Sequence, residues 1–266
     1  MTRRRLDAEL VRRGLAASRT EAQAAVREGL VLVAGRPGAK PSTLVEPADA
    51  IVVSRPARRF VSRGGEKLAA ALDRFAIDPS GRECLDVGAS TGGFTDCLLR
   101  RGARHVVALD VGYGQLAWSL REDARVSVLD RTNVRDLQTS ALPYVPTLIV
   151  GDLSFISLSL VAPALARVAA PWADAVLLVK PQFEAGPPDV GRGGVVRDPD
   201  VWRRAIEGVM QACAATGLQP IAVMPSPLRG PAGNVEFPLH LVHGETSGAP
   251  DIDAALEAAI RMVGAA

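Results

Sequence analysis

Only three of the 31 basic residues in this 266-residue chain are lysine: Lys40, Lys67 and Lys180. A guanidinium keeps its proton near neutral pH, whereas a lysine amine in suitable surroundings can lose it. The scarce lysines are therefore candidates for positions where arginine cannot serve. Lys67 lies in Arg63-Gly64-Gly65-Glu66-Lys67-Leu68, where a helix starts just before the first strand of an alternating pattern. Lys180 lies in Val179-Lys180-Pro181-Gln182-Phe183-Glu184, at the end of an apolar strand. Two carboxylates take comparable positions: Asp152 in Gly151-Asp152-Leu153-Ser154-Phe155 and Glu236 in Gly233-Asn234-Val235-Glu236-Phe237. Singly, each has an ordinary reading, as a solvated lysine or a helix-capping acid. Together at element ends, where open α/β sheets bind ligands, they point to one site.

A glycine-rich turn, Gly88-Ala89-Ser90-Thr91-Gly92-Gly93, follows the apolar stretch Cys84-Leu85-Asp86-Val87. Two chemistries compete for it. One is nucleotide binding, with the turn feeding a helix N-terminus that faces the ligand. The other is a serine nucleophile, because Gly88-Ala89-Ser90-Thr91-Gly92 matches G-x-S-x-G. A nucleophile elbow sits in mid-sheet after several strands, but this turn follows the first strand of its domain. Asp110 ends the next strand, where an acid grips ribose hydroxyls. Context favours the nucleotide, and a purely structural turn is the remaining reading.

The elements that must carry these residues alternate. Strands are expected at 84–87, 105–110, 126–129, 147–151, 173–180, 218–224 and 235–242, with helices between them, for example at 94–100, 157–169 and 200–216. This grammar predicts an α/β fold, a parallel sheet with helices on both faces. Residues 1–55 read differently. Leu6, Leu10 and Val11 form a helical stripe ending near Gly14. Ser18-Arg19-Thr20-Glu21 has capping-box spacing and opens a second helix that Gly29 closes. Short strands follow at 30–33 and 50–53. The expected organisation is a small α+β domain over 1–55, a linker over 56–65 and an α/β domain over 66–266.

Charge follows the same division. Residues 1–65 carry 13 Lys+Arg and 6 Asp+Glu, whereas residues 66–266 carry 18 and 23, so a segment of +7 precedes a body of −5. A basic module on a mildly acidic body suggests a polyanionic partner. A solvated basic face is the plain alternative.

These residues carry a family resemblance. Asp86-Val87-Gly88-Ala89-Ser90-Thr91-Gly92-Gly93-Phe94 resembles the first motif of S-adenosylmethionine-dependent methyltransferases, especially the FtsJ-like RNA 2′-O-methyltransferases. The resemblance implies a Rossmann-like methyltransferase sheet and S-adenosyl-L-methionine as cofactor. It implies cofactor contacts from Asp86, Gly88, Ser90, Thr91, Gly93, Phe94 and Asp152, from Asp110 at the ribose, and from Asp130 and Asn133 near the adenine. Lys67, Asp152, Lys180 and Glu236 match, in order, the Lys-Asp-Lys-Glu tetrad of those enzymes. As implied, Lys180 is the general base, Lys67 steadies the 2′-oxygen, and the two acids orient the lysines. No metal is implied, because the leaving group departs as a neutral thioether.

From about residue 4 to residue 243 the chain resembles the TlyA family, historically called hemolysins but similar to ribosomal RNA cytidine-2′-O-methyltransferases. Phe60 stands where relatives often carry Trp. Leu6, Leu10, Ser18-Arg19, Ala22, Val26, Gly29, Val31, Val33 and Gly35 resemble the small RNA-binding domain of alpha-L type. The resemblance implies ribosomal RNA or ribosomal subunits as partner, with Arg5, Arg12, Arg19, Arg27, Lys40 and Arg63 as RNA contacts. A membrane-active hemolysin and a non-catalytic RNA-binding protein are the alternatives.

Composition bounds these readings. Hydrophobic residues make up 48% and charged residues 23%, as in a folded globular chain. No apolar run reaches the length of a membrane span, and the first residues do not form a secretory signal. Cys84, Cys97 and Cys213 are odd in number and far apart, fitting a reducing cytoplasm rather than a disulfide framework.

Overall fold

A computed structural model describes residues 3–16, 18–27, 29–38, 40–53, 59–191, 193–244 and 251–264. The chain divides into two compact units, residues 1–58 and 59–266. Of the linker expected at 56–65, residues 56–58 lie outside the described residues. Phe60 is buried in the second unit, and Gly64 and Gly65 already belong to its first helix.

In the first unit, β1 (Arg4–Arg5) leads into α1 (Leu6–Arg12), followed by α2 (Arg19–Arg27), β2 (Val31–Val33), β3 (Arg36–Pro37), β4 (Leu44–Val45) and β5 (Ile51–Val53). β2 pairs antiparallel with β3 and β5, and β1 pairs with β4. Leu6, Leu10, Ala22, Val26, Val31, Val45 and Ile51 form the core. Val11 does not join it: one position beyond Leu10 it has turned about 100° around the helix and is exposed. The Ser18 hydroxyl accepts the Glu21 N–H at 3.2 Å, capping α2.

The second unit opens with α3 (Gly64–Phe75). It continues with β6 (Glu83–Val87), α4 (Gly93–Arg100), β7 (His105–Leu109), α5 (Trp118–Arg121), β8 (Val126–Leu129), β9 (Leu148–Gly151), α6 (Ala162–Val168) and β10 (Asp174–Val179). The last elements are α7 (Pro181–Glu184), α8 (Pro199–Ala214), β11 (Leu218–Val223), β12 (Phe237–His243) and α9 (Ile252–Gly264). Seven strands form one sheet in the order β11-β12-β10-β9-β6-β7-β8. The α/β class agrees with the sequence reading, but the sheet is not wholly parallel. β12 runs antiparallel to both β10 and β11. A parallel neighbour needs a crossover element, and the connection over 224–236 contains no helix, so the chain turns back on itself.

Strand residues alternate between two cores. Leu85, Val87, Val107, Leu109, Ile149, Leu177 and Val179 pack in one core with residues of α6, α8 and α9. Cys84, Val106, Ala108, Leu148, Val150 and Val176 pack in the other with α3 and α4. Both faces are thus covered, and the polar residues of the site collect at the strand ends.

Candidate active site

The glycine turn is shaped by its backbone. The N–H groups of Gly88 and Ala89 both donate to the Leu109 carbonyl, at 2.8 and 3.0 Å, tying the end of β6 to the end of β7. Gly88 has φ +80°, and a Cβ there would lie 3.0 Å from Leu153 and 3.1 Å from the Asp152 carbonyl. Glycine therefore lets this turn lie against the start of the Asp152 loop. At Gly93 a Cβ would strike the Ser62 hydroxyl and approach the Gly65 N–H to 2.9 Å. Its small size serves the packing of α4 on α3. A Cβ at Gly65 would in turn overlap the Phe60 ring. The run Phe60 to Gly65 is thus a close-packed bracket holding the start of α3, and with it Lys67, against the glycine turn.

The acids of the turn are already bound to backbone. Asp110 accepts the Ser90 N–H at 2.8 Å and the Gly112 N–H at 2.7 Å. Asp130 accepts the Gly114 N–H at 3.2 Å and pairs with Arg121 at 2.8 Å; the Arg121 guanidinium holds its carboxyl below the usual range. The Asn133 side chain caps the short turn Val134–Asp136 by accepting from the Arg135 N–H at 3.1 Å. Ser90 and Thr91 are exposed, whereas Phe94 is buried between the sheet and α3. The histidines are engaged elsewhere: His105 with Ser127, His240 with Asp174 and His243 with the Ala170 carbonyl. Among the described residues no base stands beside Ser90, whose hydroxyl faces the Gln115 amide at 3.5 Å, so the serine-nucleophile reading is not supported.

Asp86 is fully buried. Its Oδ2 accepts the Thr95 hydroxyl at 2.7 Å, and its Oδ1 has no partner among the described residues. An unanswered carboxylate oxygen, together with the acids Asp110 and Asp130, fits a ligand that carries positive charge and sugar hydroxyls.

The second group of residues gathers at the end of β10. Val179 is the last β10 residue paired with β12, opposite Phe237, so Lys180 and Glu236 flank that rung. Lys67 of α3 forms a buried ion pair with Glu236. Lys180 pairs with Asp152 at 2.7 Å and donates to the Ser154 hydroxyl at 2.8 Å. Lys67, Lys180 and Glu236 are buried, and Asp152 is half-buried. Two lysine–carboxylate pairs, drawn from one helix and three strand ends, are thereby adjacent to the glycine turn.

Several residues to which the sequence motifs assign no role fix this geometry. Asn234 is buried, accepting the Val196 N–H at 2.9 Å and donating to the Gly194 carbonyl at 2.8 Å, which secures the loop before Glu236. Glu184 accepts the Ser157 hydroxyl at 2.5 Å and the Leu158 N–H at 2.8 Å, joining α7 to the Ser154 loop; burial pushes its carboxyl up. Phe155 is 90% exposed, has φ +63° and lies 5.0 Å from the Phe183 ring. A large apolar ring held in open solvent beside Ser154, on left-handed backbone, is a strained and costly arrangement.

The basic residues of the first unit are organised by two buried acids. Asp7 accepts from Arg5 at 2.9 Å, from Arg19 at 3.2 Å and from Gln23 at 3.0 Å, and Arg5 above all holds its carboxyl far below the usual range. Glu9 is gripped by Arg12 and Arg13, at 2.6 and 2.8 Å, which lowers it to about 2. The Arg12 and Arg13 spacing from Glu9, three and four residues along a helix, was the available signal. Arg27 donates to Gln23 at 3.3 Å, and Lys40 is exposed. Arg63 is also exposed and lies at the head of α3 in the second unit.

Comparison with known proteins gives the same two parts. Residues 60–242 match the FtsJ-like methyltransferase family, and residues 4–51 match the S4 domain. The chain is 55% identical over 240 residues to the 16S/23S rRNA (cytidine-2′-O)-methyltransferase TlyA of Mycobacterium tuberculosis, covering 90% of each. It is 37% identical to Hemolysin A of Brachyspira hyodysenteriae, over 90% of this chain and 99% of that one. A solved structure of a Streptococcus thermophilus protein, also named as a hemolysin, aligns with a TM-score of 0.80 at 35% identity, covering 100% of this chain and 97% of that one. With an S4 domain, an FtsJ-like sheet and near full-length similarity in both directions, the chain belongs to the TlyA family of FtsJ-like methyltransferases.

Proposed function

We propose that this protein methylates the ribose 2′-oxygen of cytidine in ribosomal RNA, using S-adenosylmethionine. The observation that carries the reading is the pair of lysine–carboxylate contacts at the end of β10, beside the glycine turn. A ribose hydroxyl is a weak acid and a poor nucleophile, so its proton must leave as it attacks. The cofactor, when bound, supplies an electrophilic methyl on a sulfonium and leaves as a neutral thioether.

Lys180, held in place by Asp152 and Ser154, gives one ammonium proton to solvent before the reaction and then, as the free amine, takes the 2′-hydroxyl proton. Asp152 then faces a fully protonated ammonium and matches its charge. Lys67, fixed by Glu236, donates to the 2′-oxygen and stabilises the charge that develops there. Asp110 and Asp130 hold the ribose and adenine of the cofactor, Asn133 shapes the wall beside them, and Asp86 balances the positive charge. Gly88, Ser90 and Thr91 offer backbone at the head of α4, with Gly93 and Phe94 supporting that helix. Phe155 and Phe183 offer a stacking surface to a base turned out of the RNA, a device by which proteins hold unpaired nucleotides.

RNA is held by the first unit, through Arg5, Arg12, Arg19, Arg27 and Lys40, with Arg63 contributing from the second. Phosphate contacts of this kind position the nucleic acid and leave the choice of base to other groups. No helix among the described residues is long and apolar enough to cross a membrane. Three free, buried cysteines suit the reducing cytoplasm in which ribosomal subunits reside. The test is methyl transfer from labelled S-adenosylmethionine to purified ribosomal subunits. Incorporation as 2′-O-methylcytidine supports the reading, and lysis of vesicles with no incorporation contradicts it.

A further inference from the structure

We propose that Asp86 discriminates between the charged cofactor and its neutral product by exchanging a proton: it is protonated in the cofactor-free protein and ionises when a sulfonium binds. This rests on the cofactor reading above and goes beyond it.

The geometry begins with three adjacent strands. Asp86 in β6 pairs in register with Ala108 of β7 and Val150 of β9, and two residues further along those strands come Asp110 and Asp152. Three carboxylates therefore converge at the ends of neighbouring strands, and they are answered unequally. Asp152 has Lys180, and Asp110 has two backbone N–H groups. Asp86 is answered by Thr95 alone, through its hydroxyl on Oδ2 and its backbone N–H, and Oδ1 has no hydrogen-bond partner among the described residues.

The groups on the surrounding elements do not relieve it. Lys67 of α3 is committed to Glu236, and Arg100 of α4 is committed to Asp96. Cys84, on the same strand, is a buried thiol pushed up to about 12 and stays neutral. Burial drives the Asp86 carboxyl up to about 7, against the Thr95 hydrogen bond and with help from Asp152 and Asp110. A proton on this residue near neutral pH is the outcome of that imbalance.

S-adenosylmethionine and S-adenosylhomocysteine share every group except the sulfonium methyl. The α-ammonium they share acts on Asp86 in both complexes, so the difference lies with the sulfonium, a cation that favours ionised Asp86 further where the neutral thioether does not. Below about pH 7, binding of the sulfonium therefore expels a proton from Asp86 to solvent. Its affinity rises with pH, by at most roughly ten-fold per unit, until Asp86 is ionised beforehand. The product lacks the sulfonium's share of this dependence. After transfer the charge that favoured ionised Asp86 is gone, so the carboxyl recovers a proton and retention of the product weakens.

The experiment is calorimetric titration of the full-length protein with S-adenosylmethionine and with S-adenosylhomocysteine. It is run between pH 5.5 and 8 in buffers of different ionisation enthalpy. Near pH 6 the first ligand should release more protons than the second. The affinity ratio of the two should grow several-fold towards pH 7.5. Asp86→Asn should make that ratio independent of pH. Thr95→Val, which removes the donor favouring the ionised form, should move the proton-release midpoint to higher pH and serves if the first variant does not fold. Equal proton release by both ligands, or an unchanged pH profile in the variants, overturns the proposal while leaving the cofactor reading intact. Failure of both ligands to bind overturns the cofactor reading and this proposal with it.

Discussion

Lys180 and Glu236 flank the last rung of the β10–β12 ladder, yet their salt bridges run elsewhere: Glu236 to Lys67 of α3, and Lys180 to Asp152 beyond β9. The reversal of β12 is what brings Glu236 to this end of the sheet. Each lysine thereby has its own carboxylate.

Lys180→Ala should abolish methyl transfer while S-adenosylmethionine affinity stays within a few-fold. Lys180→Arg should fail equally, because a guanidinium holds its proton. Single-turnover transfer and calorimetry on the same preparations check both. Substantial transfer by the arginine variant contradicts the base assignment.

Glu236→Gln leaves the Lys67 ammonium buried without its counter-charge. Breaking a buried pair from one side costs roughly 3–5 kcal/mol, so thermal unfolding should fall by roughly 10 °C. Replacing both partners, Lys67→Met with Glu236→Leu, should recover most of that stability and none of the transfer. Calorimetric scans with parallel assays separate the structural role of the pair from its chemical one.

In the first unit the sign of the pH effect is fixed by Asp7 and Glu9, both held below their ordinary values by arginines. Acids of this kind contribute stability above the unfolded carboxylate range, and that contribution is lost as pH falls through the folded value. Glu9→Gln should therefore destabilise the unit near neutral pH and make progressively less difference as pH falls from about 5 towards 2. Amide exchange over residues 3–53 in the two proteins measures it.

Arg27→Ala and Lys40→Ala should each lower ribosomal RNA affinity and reduce the salt dependence by about one counterion, with cofactor affinity unchanged. Phe155→Ala should lower kcat/KM for RNA by roughly five- to 100-fold, the value of one stacked base, without lowering the unfolding temperature. Salt-series binding and steady-state transfer decide each.

The residues whose chemistry is unusual for their setting were legible in the sequence. Lysines in an arginine-rich chain, acids at the ends of apolar runs and a glycine turn after the first strand mark themselves by type and local spacing. Ser18 and Gly29 were legible for the same reason, since caps are local. What depended on distant contact was not. The sequence does not show which carboxylate serves which lysine, because Lys67 and Glu236 meet only through the sheet order. β12 was expected to be parallel because strand periodicity carries no direction. That the small size of Gly93 admits Ser62 and the Gly65 N–H is likewise a distant contact that the sequence does not display. Helix α9 was overlooked although Ile252, Leu256, Ala259 and Ile260 have helical spacing; it lies beyond the motifs that drew attention, and it covers part of the core. Phe155 was hidden because exposure and φ are not readable from a phenylalanine in a motif.

The two lysine–carboxylate pairs are proposed to move a methyl group to a ribose 2′-oxygen of ribosomal RNA. The most direct measurement is mass-spectrometric nucleoside analysis of ribosomal subunits incubated with S-adenosylmethionine and either the native protein or Lys180→Ala. The native protein should yield 2′-O-methylcytidine and the variant none. Methylation on a base, or equal ribose methylation by both proteins, would contradict it.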